Sequence, residues 1–152
     1  MTNAADNPYL RDAVMTATPE QLQLMLYDGC IRYASQGRDA IESKNYETSY
    51  DRLTRAQNIV LEMRNGLNFD VNRELCDRVA SIYGFVYRKL LDANVHRDVS
   101  AIDDALKVLR IERETWQLLV DKVNRVREGA DAEDYEDPAQ DEESPVGFSA
   151  EG

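Results

Sequence analysis

The 152-residue sequence predicts an all-α fold: an antiparallel up-down four-helix bundle with a short N-terminal helical arm and a disordered acidic C-terminal tail. Three observations carry that prediction. Apolar residues recur at three- and four-residue spacing through four long stretches, and no alternating β pattern competes with them. Short breaks separate the stretches, which favours antiparallel neighbours. Proline and glycine are scarce, at 4 and 7 residues, and several of these lie near the ends. The boundaries that follow are an arm over residues 1–17, a bundle over 18–128 and a tail over 129–152.

Residues 1–8 are polar. From 9 to 17, Tyr9, Leu10, Ala13, Val14 and Met15 recur with helical spacing. So short a helix is marginal alone in water and needs something to dock on. It covers either one edge of the core or a binding groove from which a partner displaces it.

The first long helix is expected over Pro19 to Ser43. Thr18 is its N-cap, Pro19 occupies the first helical position, and Gln21 completes a capping box. Glu20 complements the positive end of the helix dipole. Leu22, Met25, Leu26, Gly29, Tyr33 and Ile41 form one stripe, and Leu24, Tyr27 and Ile31 fall largely off it. That is more apolar width than one core face requires. Gly29 and Gly37 each cost about 1 kcal/mol of helix propensity, which a close crossing of two helices would explain.

Lys44-Asn45 is a break, with Asn45 as cap. The second helix covers Tyr46 to Leu67, with Leu53, Ala56, Val60, Met63 and Leu67 as its seam. Phe69 to Asn72 connect it to a third helix over Arg73 to Ala93, whose stripe is Leu75, Val79, Ile82, Val86 and Leu90. Val95-His96-Arg97 reads as a loop. Asp98 caps a fourth helix, Val99 to Arg127, striped by Ile102, Ala105, Leu109, Trp116, Leu119, Val123 and Val126. Beyond Gly129 the periodicity stops, and the segment has too little apolar surface to offset its ordering entropy.

Charge narrows the function. The net charge is −11, but residues 129–152 carry nine acids and no Lys or Arg, leaving 20 acids against 18 bases in the rest, a net of −2. Neither part offers the basic patch that nucleic acid or an anionic membrane would need. No apolar run approaches the ~18 residues of a membrane span. The first residues lack the basic and apolar regions of a signal peptide, so the cytoplasm is the expected compartment. Cys30 and Cys76 sit in apolar helical patterns and read as small core residues.

Catalysis finds no footing. A di-iron bundle needs inward Glu-x-x-His pairs, and a phosphotransfer bundle needs an exposed histidine in mid-helix. The single histidine, His96, is placed in a loop and serves neither. No Gly-rich phosphate loop is present, and neither metal nor cofactor is expected. An interaction protein remains. Seven tyrosines precede the tail, more than a four-helix core needs, and tyrosine suits an interface where its ring is buried and its hydroxyl wet. With the surplus apolar width of the first three helices, they point to grooves for an apolar helical partner.

The order of motifs resembles the flagellin export chaperones of the FliS family. The matching residues are Tyr9, Thr16-Ala-Thr-Pro-Glu-Gln-Leu22, Met25-Leu-Tyr-Asp-Gly29 and Ala56-Gln-Asn-Ile-Val-Leu-Glu-Met63. Ile82-Tyr83, Arg88-Lys-Leu-Leu-Asp-Ala-Asn94 and Val108-Leu-Arg-Ile-Glu-Arg-Glu-Thr-Trp116 continue the likeness, which spans about residues 9–123. The chain departs from the family pattern at Val71 to Cys76, where the family is often Gly-Gly-rich, and at Gly84-Phe85, where it commonly has an acid.

The resemblance implies a cytoplasmic, non-catalytic chaperone of flagellar type III export, a monomer or weak homodimer. It would bind the disordered C-terminal segment of flagellin, prevent premature polymerisation, and deliver it to the cytoplasmic domain of the export-gate protein. The arm with Tyr9 would occupy part of the groove in the free state. The partner-binding residues expected are Tyr9, Leu10 and Val14 in the arm, Leu22, Met25, Tyr27 and Asp28 in the first long helix, and Ile59 and Tyr83 beyond it. Tyr27 would be an aromatic anchor and Asp28 a polar orienting contact. The alternative is a structural or regulatory four-helix module with another helical partner, the arm being a fixed part of its core.

Overall fold

The computed structural model describes residues 7–134, and every element in that range is helical. The helices are α1 (Pro8–Thr16), α2 (Pro19–Glu42), α3 (Tyr46–Asn65), α4 (Arg73–His96) and α5 (Val99–Asp134). The chain divides into two compact units at Gln117/Leu118, so the C-terminal part of α5 belongs to the second. Residues 135–152, most of the expected tail, lie outside the described residues. Residues 129–134, also assigned to the tail, are instead helical and prolong α5.

The caps fall where the short polar residues are. Thr18 Oγ1 accepts from the Gln21 amide, and Gln21 Oε1 accepts from the Thr18 amide, closing the capping box of α2. Asn45 receives the Thr48 amide, Asn72 the Leu75 amide, and Asp98 the Ala101 amide. Each side chain satisfies an amide that the helix itself leaves without a partner. One expected loop is helix: α4 runs through His96, and the turn is made by Arg97 in the left-handed region at φ 55°. The Arg97 guanidinium lies 3.6 Å from the centre of the Tyr46 ring, a cation–π contact that favours this geometry.

Contacts between helices establish the antiparallel order. On α2 and α5, Glu20 pairs with Trp116, Asp28 with Arg113, and Arg38 with Asp103, so one number rises as the other falls. On α2 and α3, Gly29 faces Ile59, Cys30 bonds to Ala56, and Gly37 faces Leu53, again in opposite senses. α3 and α4 are joined by Asn94 to Gln57 and Thr54.

The core consists of Tyr27, Cys30, Ala34 and Ile41 from α2, Leu53, Ala56, Val60 and Met63 from α3, Tyr83, Val86, Leu90 and Ala93 from α4, and Ala101, Ile102, Ala105, Leu106 and Leu109 from α5. The α3 seam is the one read from spacing as far as Met63, while Leu67 lies beyond the helix end at Asn65 and is half-buried against the core. On α2 the buried face is rotated: Tyr27 is in the core, while Leu22 and Met25 are half-buried. Small residues decide this, because Gly29, Cys30, Ala34 and Gly37 let α3 approach closely along that side. On α4 the core begins at Tyr83, leaving Leu75 exposed. Cys30 is buried, and burial pushes its thiol up to about 12. Cys76, also expected in the core, is half-exposed, its thiol donating to the Asn68 carbonyl.

The arm departs from expectation. No residue of α1 is buried, and Tyr9 is 85% exposed. Local interactions hold the helix: Asn7 accepts from the Tyr9 and Leu10 amides, Pro8 starts the first turn, and the Thr16 hydroxyl donates to the Asp12 carbonyl. Over its described residues it is an exposed amphipathic helix.

Candidate partner-binding groove

Two of the expected contact residues prove to be internal. Tyr27 and Tyr83 are each 2% exposed, with ring centres 6.3 Å apart. Their hydroxyls share a hydrogen bond of 2.8 Å, and Gln23 Nε2 donates to the Tyr83 oxygen at 2.8 Å. Burial raises the pKa of both phenols, and the nearby Glu112 carboxylate reinforces it. Burial also raises Glu112 itself above the ordinary carboxylate range. The cluster therefore ties α2 to α4 with neutral hydroxyls, and Tyr27 is no surface anchor in this structure. Asp28 is exposed but held by the Arg113 guanidinium, which joins α2 to α5. Ile59 is half-buried, with its Cδ1 turned toward Gly29 between α2 and α3.

The concave surface lies elsewhere, between α3 and α4. One concavity, of about 600 Å³, is lined by Val60, Leu61 and Arg64 of α3 and by Asp77, Ala80, Ser81, Tyr83, Gly84, Tyr87 and Arg88 of α4. A second, of about 380 Å³, is lined by Tyr50, Thr54, Gln57, Asn58, Tyr87, Leu91, Asn94 and Val95. Tyr87 borders both, so the two adjoin along the α3–α4 pair and together make up its groove. Its depth comes from short side chains on α4. At Gly84 an added Cβ would meet only Arg88 Nη1, at 3.3 Å, so the backbone is bare there.

The rim is apolar and wet: Tyr50, Leu61, Leu91 and Val95 are all exposed. Charge is confined to one half, where Arg64 and Arg88 face Asp77. The other half has no charged side chain. Such a channel suits a helix or extended peptide that brings apolar side chains at regular spacing.

Of the nine expected residues, the structure places only Tyr83 against this groove, and from beneath. Leu22 and Met25 are half-buried on α2 and line neither concavity. Tyr9, Leu10 and Val14 lie on the arm, with only Leu10 half-buried. Sequence reading missed Leu61, Gly84, Tyr87, Leu91 and Asn94 as groove residues. A signal for some was present: Leu61, Tyr87 and Leu91 are flank positions of apolar stripes. Asn94 gave none, because it reads as a helix-ending residue.

Among the described residues, no group of three or more His, Cys, Asp or Glu is placed to hold a metal ion. No described helix is long and apolar enough to cross a membrane.

Known proteins share this sequence and shape. A model of the family described as flagellar protein FliS matches residues 1–123. The chain is 33% identical over 132 residues to the flagellar secretion chaperone FliS of Bacillus subtilis, spanning 84% of this chain and 96% of that protein. It is 28% identical over 109 residues to the Escherichia coli flagellar secretion chaperone FliS, spanning 71% and 80%. A solved structure described as the crystal structure of a flagellar chaperone from bacteria matches with a TM-score of 0.65 at 20% identity. That match covers 75% of this chain and 93% of that one, and it is a likeness of fold.

Proposed function

The chain belongs to the FliS family of flagellar secretion chaperones, and from that premise we propose that it binds the disordered C-terminal segment of newly made flagellin. By occupying that segment it keeps flagellin from polymerising early, and it delivers the loaded complex to the cytoplasmic domain of the export-gate protein. The role is one of binding and needs no catalytic group. It places the protein in the cytoplasm, where flagellin is made.

The α3–α4 groove is the observation that carries this reading. A disordered partner loses affinity to the ordering it undergoes, so its site must offer long apolar contact. The groove extends from Tyr50 to Arg64 on α3, roughly 20 Å at 1.5 Å per helical residue, with exposed apolar side chains along both edges. Leu22 and Met25 on α2, and Tyr9, Leu10 and Val14 on the arm, add apolar contacts outside it. Tyr27 and Tyr83 act from within, holding α4 in place as the groove wall.

Co-purification with flagellin, intact and lacking its C-terminal segment, tests the reading. Intact flagellin should be retained and the truncated form lost. A Gly84→Phe variant, which fills the groove from a half-buried position where an added Cβ meets only the flexible end of Arg88, should lose flagellin while keeping its thermal unfolding transition. Equal capture of intact and truncated flagellin would sink the proposal.

A further inference from the structure

The uncharged half of the groove has an apolar rim and a polar floor. Tyr50, Leu91 and Val95 stand at its edges. Beneath them Gln57 is only 7% exposed, one of two buried polar residues among the described residues. The other, Ser49, turns its hydroxyl back to the Tyr46 carbonyl of its own helix. Gln57 does not. Its Oε1 accepts from Asn94 Nδ2 at 3.1 Å, and the same Nδ2 donates to Thr54 Oγ1 at 3.3 Å. Both amide hydrogens of Asn94 are thereby used, and the orientation of its side chain is set.

Two groups remain for an occupant. Among the described residues, neither Gln57 Nε2 nor Asn94 Oδ1 takes part in a hydrogen bond. Both residues line the concavity, so the floor offers one NH₂ group and one carbonyl acceptor under an apolar rim. An apolar side chain docked there would leave both groups without partners, which is costly once water is excluded. A charged side chain would find no counter-charge in this half. A neutral carboxamide matches both, its C=O accepting from Gln57 and its NH₂ donating to Asn94.

We propose that Gln57 and Asn94 are specificity residues that read an asparagine or glutamine side chain on the groove-facing side of the docked flagellin segment. The inference rests on the flagellin reading above and adds what that half of the groove selects. It also supplies register. A helix held only by apolar contacts can slip by a turn along a groove, whereas one buried amide pair fixes its position, as a single buried polar residue does in a coiled coil.

The test is calorimetric titration of the full chain with a synthetic peptide of the C-terminal segment of its own flagellin. A peptide series in which each Asn and Gln is replaced singly by Leu completes it. Gln57→Met and Asn94→Leu should each keep cooperative thermal unfolding and bind the parent peptide about tenfold more weakly, as expected for a lost buried hydrogen-bonded pair. One peptide position should show a similar loss with the unmodified chain but less than about a twofold loss with Gln57→Met, the non-additivity that marks a direct pair. Unchanged affinity in both chain variants overturns the proposal. So does a series in which every peptide replacement is additive with them. Failure of the unmodified chain to bind the parent peptide is a different result, and it overturns the flagellin reading itself.

Discussion

Alanine at Gly37 and at Gly29 should shift stability in opposite directions, although the substitution and the helix are the same. Any Gly→Ala change inside a helix gains about 1 kcal/mol of propensity. At Gly37 the new Cβ would lie 2.7 Å from both Cγ and Cδ2 of Leu53. Cγ is the branch point of that side chain, and Leu53 is fully buried, so the contact is not relieved by swinging a free tip. Overpacking of this kind costs about 1–3 kcal/mol, which outweighs the propensity gain and leaves a net loss of about 1 kcal/mol. At Gly29 the nearest atom is Ile59 Cδ1, the end of a side chain, at 3.4 Å, an ordinary contact. Here the propensity gain survives.

For a chain of this size about 1 kcal/mol moves Tm by roughly 3–5 °C, so Gly37→Ala should melt lower by about that amount and Gly29→Ala higher. Thermal and urea unfolding followed by far-UV circular dichroism measures both. Leu53→Ala alone should cost about 2–5 kcal/mol, and about 1–2 kcal/mol less when combined with Gly37→Ala, because the truncation makes room for the new methyl. Shifts of the same sign in the two glycine variants, or strict additivity with Leu53→Ala, would refute the close crossing of α2 and α3.

Tyr83→Phe should cost about 1–2 kcal/mol, because it strips partners from both Gln23 and the Tyr27 hydroxyl; Tyr27→Phe should cost less, since Tyr83 keeps its bond from Gln23. Paired urea titrations compare the two. Glu112→Gln should stabilise the fold by an amount that depends on pH. Burial raises the carboxyl in the folded state, so its contribution is favourable below the ordinary value of 4.5 and is lost as pH rises through the raised value. The gain over the parent is therefore near zero in acid and largest at neutral pH, and melting curves across that range read it. Asp103 has the opposite sign: the Arg38 hydrogen bond lowers its pKa, so its contribution is lost as pH falls through the lowered value. Deletion of residues 1–15 should leave Tm unchanged, because no residue of α1 is buried. A large drop on deletion would favour an arm integral to the core.

Helix starts were legible because their causes are local. Thr18, Asn45 and Asp98 cap α2, α3 and α5 through side-chain bonds to amides three residues on, and such contacts need no tertiary partner. The α3 seam was legible too, since Leu53, Ala56, Val60 and Met63 keep an unbroken three- and four-residue spacing along the helix. The α2 face was legible in part: Gly29, Gly37 and Ile41 are buried as their spacing and small size suggested, but Leu22, Met25 and Leu26 are only half-buried and Tyr27, read as off the stripe, is in the core. Its largest apolar residues cluster at Leu22 to Leu26, so counting hydrophobicity pointed there, whereas the buried side follows the small residues that admit α3. Which of the expected contact residues are internal was not legible for a related reason. Apolar width says that some residues exceed the needs of a core, but not which ones. Tyr27 looked peripheral and is internal, because its hydroxyl finds the Tyr83 hydroxyl, 56 residues away.

The sequence by itself therefore determined four long amphipathic helices, most of their ends, and the family to which they belong, because periodicity, caps and motif order are properties of neighbours along the chain. Only the tertiary structure decided how far the buried face of α2 is rotated toward Tyr27, that α1 stands exposed, and that the groove lies between α3 and α4 over Gln57 and Asn94. Those outcomes depend on how closely two backbones approach and on which distant polar groups meet, and both are set by packing between residues that spacing along the chain does not relate.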